Sequence, residues 1–200
     1  MNGLLKFSKR IDDLNTIVGK ATMWLILATT LISAGNALVR KIFNTSSNGL
    51  LEIQWYLFAA VFLLGAGYGF LKNSHVRIDF VSGRLSKRAR NWIDVFGIVL
   101  VLFPFCAIII SLGWPFFMQA FVSGETSQNA GGLIRWPAYI LIPIGFALLL
   151  LQGISELIKR IAFLTDNGPD VLDSEESMSD DAKRIAELEA QTAKDLAGAK

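Results

Sequence analysis

Four stretches of the chain contain no Asp, Glu, Lys or Arg: Ala21 to Val39, Ile53 to Leu71, Val95 to Gly124 and Trp136 to Ser155. A helix needs about 18 to 20 apolar residues to cross a hydrocarbon core about 30 Å thick, and every stretch reaches that length. A core helix of a soluble protein carries a polar stripe every three or four residues, which these stretches lack. The expected fold class is an all-α membrane protein of four transmembrane helices, spanning about 21–39, 53–71, 93–115 and 136–157. Only 18% of the residues are charged, against about 25% in soluble domains, which points the same way.

Orientation follows from the basic residues beside the spans. One side would hold Lys6, Lys9, Arg10, Lys20, Lys72, Arg77, Arg84, Lys87, Arg88, Arg90, Lys159 and Arg160, and the other only Arg40, Lys41 and Arg135. Twelve against three places the N-terminus, the C-terminus and the middle loop in the cytoplasm. Residues 1–20 form a basic amphipathic lead-in, with Phe7, Ile11, Leu14 and Val18 spaced four, three and four apart on one helical face. This segment either lies on the membrane surface or extends the first helix into the cytoplasm. Asp12 and Asp13 interrupt it and no small-x-small cleavage site follows, so the first helix is expected to be retained rather than removed as a signal peptide.

The third stretch is longer than one perpendicular span. Pro104 is expected to bend it, and Gly113-Trp114-Pro115 to end the regular helix or turn it along the outer interface. Trp136-Pro137 suits the first turn of the fourth helix, with a local bend expected near Pro143. Residues 164–200 form an acidic tail. From Thr165 onward it holds ten acidic and four basic residues, a composition expected to be largely disordered, with a possible helix over 180–196.

Chemistry-bearing groups are sparse. With one histidine, His75, and one cysteine, Cys106, neither a bis-histidine haem nor a Cys/His metal site has its ligands. No Gly-rich phosphate loop and no Ser–His–acid set is present, so no enzyme activity and no cofactor are expected. Glu52, Asp94 and Glu156 fall at helix ends, within reach of headgroups or water, and the polar groups between them are mild: Asn36, Gln54, Ser111 and Gln152. A carrier usually places ionisable groups at mid-membrane, so the middle of this bundle reads as inert. Gly65 and Gly69, four apart, offer a close-approach face to another helix, within the bundle or on a partner. The basic residues flank apolar spans, and their expected partner is membrane lipid, with no nucleic acid.

The middle loop runs Lys72-Asn73-Ser74-His75-Val76-Arg77-Ile78-Asp79-Phe80. Asp79 is placed to cap a short helix through Leu85, and Ser86 to cap the next one. Glu52 early in the second helix, the Gly-rich end of that helix and His75-Val76-Arg77-Ile78-Asp79 resemble the small membrane subunit (DctQ type) of tripartite ATP-independent periplasmic (TRAP) transporters. Arg84-Leu85-Ser86 and Arg88 to Asp94 share the resemblance, which covers about residues 10 to 163 and leaves the acidic tail unexplained.

The resemblance implies a secondary transporter of the bacterial inner membrane, usually driven by a cation gradient. A periplasmic solute-binding protein delivers an organic acid, and a large multi-span membrane subunit carries the substrate and ion sites. The small subunit is implied to brace the large one, with Glu52, Gly65, Gly69, His75, Arg77 and Asp79 as structural or partner-contact residues. The alternative is a small self-assembling carrier or channel with Glu52 as the coupling acid.

Overall fold

The computed structural model describes residues 2–44, 47–73, 85–166 and 168–170. Among these, the helices are α1 (Asn2–Phe43), α2 (Asn48–Leu71), α3 (Lys87–Gly97), α4 (Phe103–Ser123), α5 (Trp136–Tyr139) and α6 (Leu141–Leu164), with a π-helical turn at Ile98–Leu102 joining α3 to α4. Four continuous helical stretches are long and apolar enough to cross a membrane: Gly3–Phe43, Asn48–Leu71, Lys87–Ser123 and Trp136–Leu164. The four-span expectation therefore holds. Strand pairing among the described residues is limited to one isolated bridge, Thr126 to Ile134.

Local sequence explains where these helices begin, bend and stop. Ser47 caps α2, its hydroxyl accepting from Leu50 N at 3.4 Å. Ser86 caps α3 by accepting from Ala89 N at 3.3 Å, as its sequence position predicts. Pro104 cannot donate to the carbonyl four residues earlier. The chain absorbs this by widening the preceding turn, where Phe103 N donates to Ile98 O, five residues back. Pro115 differs from expectation, because α4 continues past it to Ser123. The helix stops only where Gly124 adopts φ +63°. Pro143 likewise lacks the N–H that Tyr139 O would accept, and the fourth span is divided beside it, at Ile140, between α5 and α6.

The helix α6 is the hub, touching α1 through α5, while α4 packs mainly on α5 and α6. Glycines set the close approaches. A Cβ at Gly19 of α1 would overlap the Tyr68 ring of α2, and one at Gly67 of α2 would overlap the Asn15 amide of α1. On α6, a Cβ at Gly145 would lie 2.7 Å from Leu63 O, and one at Gly153 would lie 2.8 Å from Leu102 Cδ2. Small residues let backbones approach where no hydrophobic drive separates helix from lipid.

The helix α1 buries an unexpected seam. Ser8, Asn15, Thr22, Thr29 and Asn36 are all buried and recur every seven residues. Ile11, Val18, Leu25 and Ile32 fill the intermediate positions, with Ile11 buried and the others half-buried. This is the heptad spacing of a left-handed helix seam, with small or amide side chains at one position and aliphatics at the other. The apolar face read from the sequence is therefore split. Ile11 packs inward, whereas Phe7 and Leu14 remain exposed.

The lead-in and the first span form one uninterrupted helix, since α1 has no break between Asn2 and Phe43. Past α6, Asp170 is buried and accepts from Asn91 Nδ2 at 3.1 Å. The segment from His75 to Leu85 that carries the capping motif, and the tail from 171 with its possible helix over 180–196, lie outside the described residues, Leu85 itself excepted.

Candidate functional site

Polar side chains gather in two clusters at opposite ends of the bundle. The first joins the start of α1 to the last turns of α6. Ser8 and Ser155 share a 2.7 Å hydroxyl contact. Ser155 Oγ donates to Asp12 Oδ1 at 2.6 Å. Asp12 also accepts from Gln152 Nε2 at 2.8 Å and pairs with Lys159 Nζ at 3.1 Å. Gln152 Oε1 in turn accepts from Asn15 Nδ2 at 2.9 Å.

The same cluster continues to α3. Lys159 Nζ lies 2.6 Å from Glu156 Oε1, and Arg160 lies 3.8 Å from Glu156 Oε2 and 2.8 Å from Asp94 Oδ2. Arg160 also donates to Asn91 Oδ1 at 3.3 Å. Residues 8, 12, 15, 91, 94, 152, 155, 156, 159 and 160 thus form one connected network across three helices. Glu156 is only 3% exposed. The expectation that it reaches headgroups or water is corrected: internal cations hold it. The reason is geometric, since α1 starts well before its apolar stretch and covers the charged end of α6.

The second cluster closes the opposite end. Glu52 is also 3% exposed, and each of its carboxylate oxygens has a donor from the loop after α4. Oε1 accepts from Asn129 Nδ2 and Oε2 from the backbone N–H of Leu133, both at 2.7 Å. Around this clasp, Asn48 Nδ2 donates to Ala130 O at 3.0 Å and Tyr56 OH to Ile134 O at 3.3 Å. The loop is folded back on itself by Ser127 N to Leu133 O and Arg135 N to Glu125 O, at 2.8 and 2.9 Å. Arg135 also pairs with Glu125 at 2.8 Å, and that hydrogen bond pushes the guanidinium above its ordinary value.

Of the other residues singled out from the sequence, Gly65 faces Thr22 Oγ1 with room for a methyl group, 3.8 Å from the position of a Cβ. The tight contact belongs to Gly67, between the two glycines marked from spacing, and Gly69 is half-buried one turn beyond Gly65. His75, Arg77 and Asp79 lie outside the described residues. Ser111 is exposed and turns its hydroxyl onto Ile108 O, whereas Asn36, Gln54 and Gln152 are buried. Sequence reading missed Asp12, Asn15, Lys159 and Arg160 as a set. The seven-residue recurrence of Ser8, Asn15, Thr22, Thr29 and Asn36 was the available signal for the buried side of α1.

Most polar atoms of both clusters find partners within the chain, while Asn15 Oδ1, Glu156 Oε2 and Arg160 Nε are buried without a hydrogen bond among the described residues. Residues 29–163 match the family model described as tripartite ATP-independent periplasmic transporters, DctQ component. The chain belongs to the DctQ family. No curated protein matches the sequence. The DctQ match runs from Thr29 in the second half of α1 to Phe163 at the end of α6, and so takes in Glu52 with its loop and the α6 side of the polar network. Ser8, Asp12 and Asn15 precede it. In this DctQ component the helix that completes the network thus begins outside the shared core.

Proposed function

We propose that this chain is the non-catalytic small permease subunit of a TRAP-type secondary transporter, bracing a large multi-span membrane subunit for cation-coupled uptake of an organic acid. The observation that carries the reading, beside the DctQ match, is how the ionisable groups inside the bundle are used. Asp12, Glu156, Lys159, Arg160 and Asp94 are bound to one another, and Glu52 is bound to its loop. A coupling acid must exchange its ion or proton, and a carboxylate with a 2.7 Å donor on each oxygen acts as a staple instead.

A bundle whose buried carboxylates are held by donors of the same chain suits a scaffold whose working sites lie on another chain. The twelve-to-three distribution of basic residues supports placement in a bacterial inner membrane with both termini cytoplasmic, so that the Glu52 clasp faces the periplasm, where a solute-binding protein docks on the complex. Mild-detergent purification is expected to bring down a large multi-span partner. Vesicles containing this chain alone are expected to accumulate no organic acid. Solute uptake by the chain alone would overturn the reading and favour the self-assembling carrier.

A further inference from the structure

The first half of α1 is turned opposite to a helix that extends into water. Its polar seam (Ser8, Asn15, Thr22) faces the bundle, while Leu4, Phe7, Leu14, Ile17 and Trp24 face outward. Ile17 is 67% exposed and Trp24 73%. Between these apolar side chains stand Lys6, Lys9, Arg10 and Lys20, all exposed and without an ion pair among the described residues, with Asp13 as the one exposed acid of the stretch. Lys6, Arg10, Asp13, Ile17, Lys20 and Trp24 follow one another at four, three, four, three and four residues, which lines them along a single outward stripe.

We propose that this outward face, from Lys6 to Trp24, is a binding surface for the headgroups of anionic phospholipids. Apolar and aromatic side chains interleaved with Lys and Arg suit the boundary between acyl chains and headgroups, where the stems bury in hydrocarbon and the charges meet phosphate. The excess of four basic groups over one acid makes the face complementary to an anionic surface. Its length also matters. Lys6 to Lys20 covers about 21 Å of helix, more than the headgroup layer on one side of the bilayer, about 5–8 Å. Because α1 runs unbroken into its membrane-crossing half, Lys20 meets the headgroup layer directly, and Lys6, Lys9 and Arg10 add to the attraction of the anionic surface. The unbroken uncharged face of α4, by contrast, offers acyl chains nothing that distinguishes one headgroup from another.

The test uses the full chain in mild detergent, titrated with phosphatidylglycerol or phosphatidylcholine, with bound lipids counted by native mass spectrometry. The wild type is expected to retain phosphatidylglycerol several-fold better than phosphatidylcholine, with each basic group contributing up to about five-fold. Lys6→Gln/Lys9→Gln/Arg10→Gln/Lys20→Gln is expected to abolish that preference. Arg40→Gln/Lys41→Gln, at the other end of the same helix, is expected to keep it. Slow labelling of buried Cys106 confirms that each variant is folded.

Equal retention of the two lipids by the wild type, an undiminished preference in the quadruple variant, or an equal loss in the Arg40/Lys41 control would each overturn the proposal. So would loss of co-purification with the large subunit while the lipid preference persists, since the face would then belong to the partner. Failure of the lipid preference leaves the bracing role standing, since that role is tested separately by co-purification of the large subunit and by vesicle uptake by the chain alone.

Discussion

Replacing Gly67 with alanine should loosen the bundle far more than the same change at Gly65. At Gly67 the added methyl would overlap the Asn15 amide and lie 3.3 Å from Leu148 O. Leu148 O is backbone, so Asn15 must move, and moving it strains the 2.9 Å bond from Asn15 Nδ2 to Gln152. Overpacking costs about 1–3 kcal/mol, and leaving a buried amide acceptor unmet costs about 1–3 kcal/mol. Part of this is offset by the roughly 1 kcal/mol gain in helix propensity from Gly to Ala.

The net expectation for Gly67→Ala is a loss of about 1–5 kcal/mol. Gly65→Ala meets only Thr22 Oγ1 at 3.8 Å and should be neutral or stabilise by up to about 1 kcal/mol. The assay is reversible unfolding of the purified chain in mixed micelles, following exposure of Cys106, which is fully buried in the folded state. A double-mutant cycle with Asn15→Ser should recover part of the Gly67→Ala loss, because the shorter side chain vacates the contested space. Equal stabilities for Gly65→Ala and Gly67→Ala, or no coupling between positions 15 and 67, would refute the packing argument.

Other expectations follow from the two polar clusters. Glu52→Gln puts a donor against Leu133 N–H or Asn129 Nδ2, costing about 1–3 kcal/mol; hydrogen exchange at the Leu133 amide should accelerate, while ion coupling of the assembled transporter should persist. Arg160→Met leaves Glu156 and Asp94 without that guanidinium, and breaking a buried pair from one side costs about 3–5 kcal/mol. Pairing it with Glu156→Gln should recover part of the loss in the same unfolding assay. Ser86→Ala removes the hydroxyl that caps α3 and should cost about 0.5–2 kcal/mol, detected as faster exchange in the first turn after Ser86.

Some of this molecule follows from local composition alone. Charge-free length fixes the four spans because hydrocarbon accepts neither a charge nor an unpaired backbone group, and that rule needs no knowledge of neighbours. Ser86 as a cap, Trp136-Pro137 as a helix start and Pro104 as a perturbation are equally local, since each acts on the backbone within a turn or so of itself. Pro115 shows where the local rule stops. A proline inside a helix disturbs only the backbone one turn before it, and α4 carries on through it.

What depends on which residues meet across helices was decided by the tertiary structure. The spacing of Gly65 and Gly69 pointed to one face, but the helix rotation that packs α2 against α1 and α6 puts Gly67 in the contact. Glu52 and Glu156 look like solvated helix ends in one dimension. Each is buried because a distant segment covers it, the loop of residues 124–135 in one case and the N-terminal turns of α1 in the other. A carboxylate's environment is set by what folds over it, so two groups that read as solvated helix ends became a clasp and a network node only once the helices were assembled.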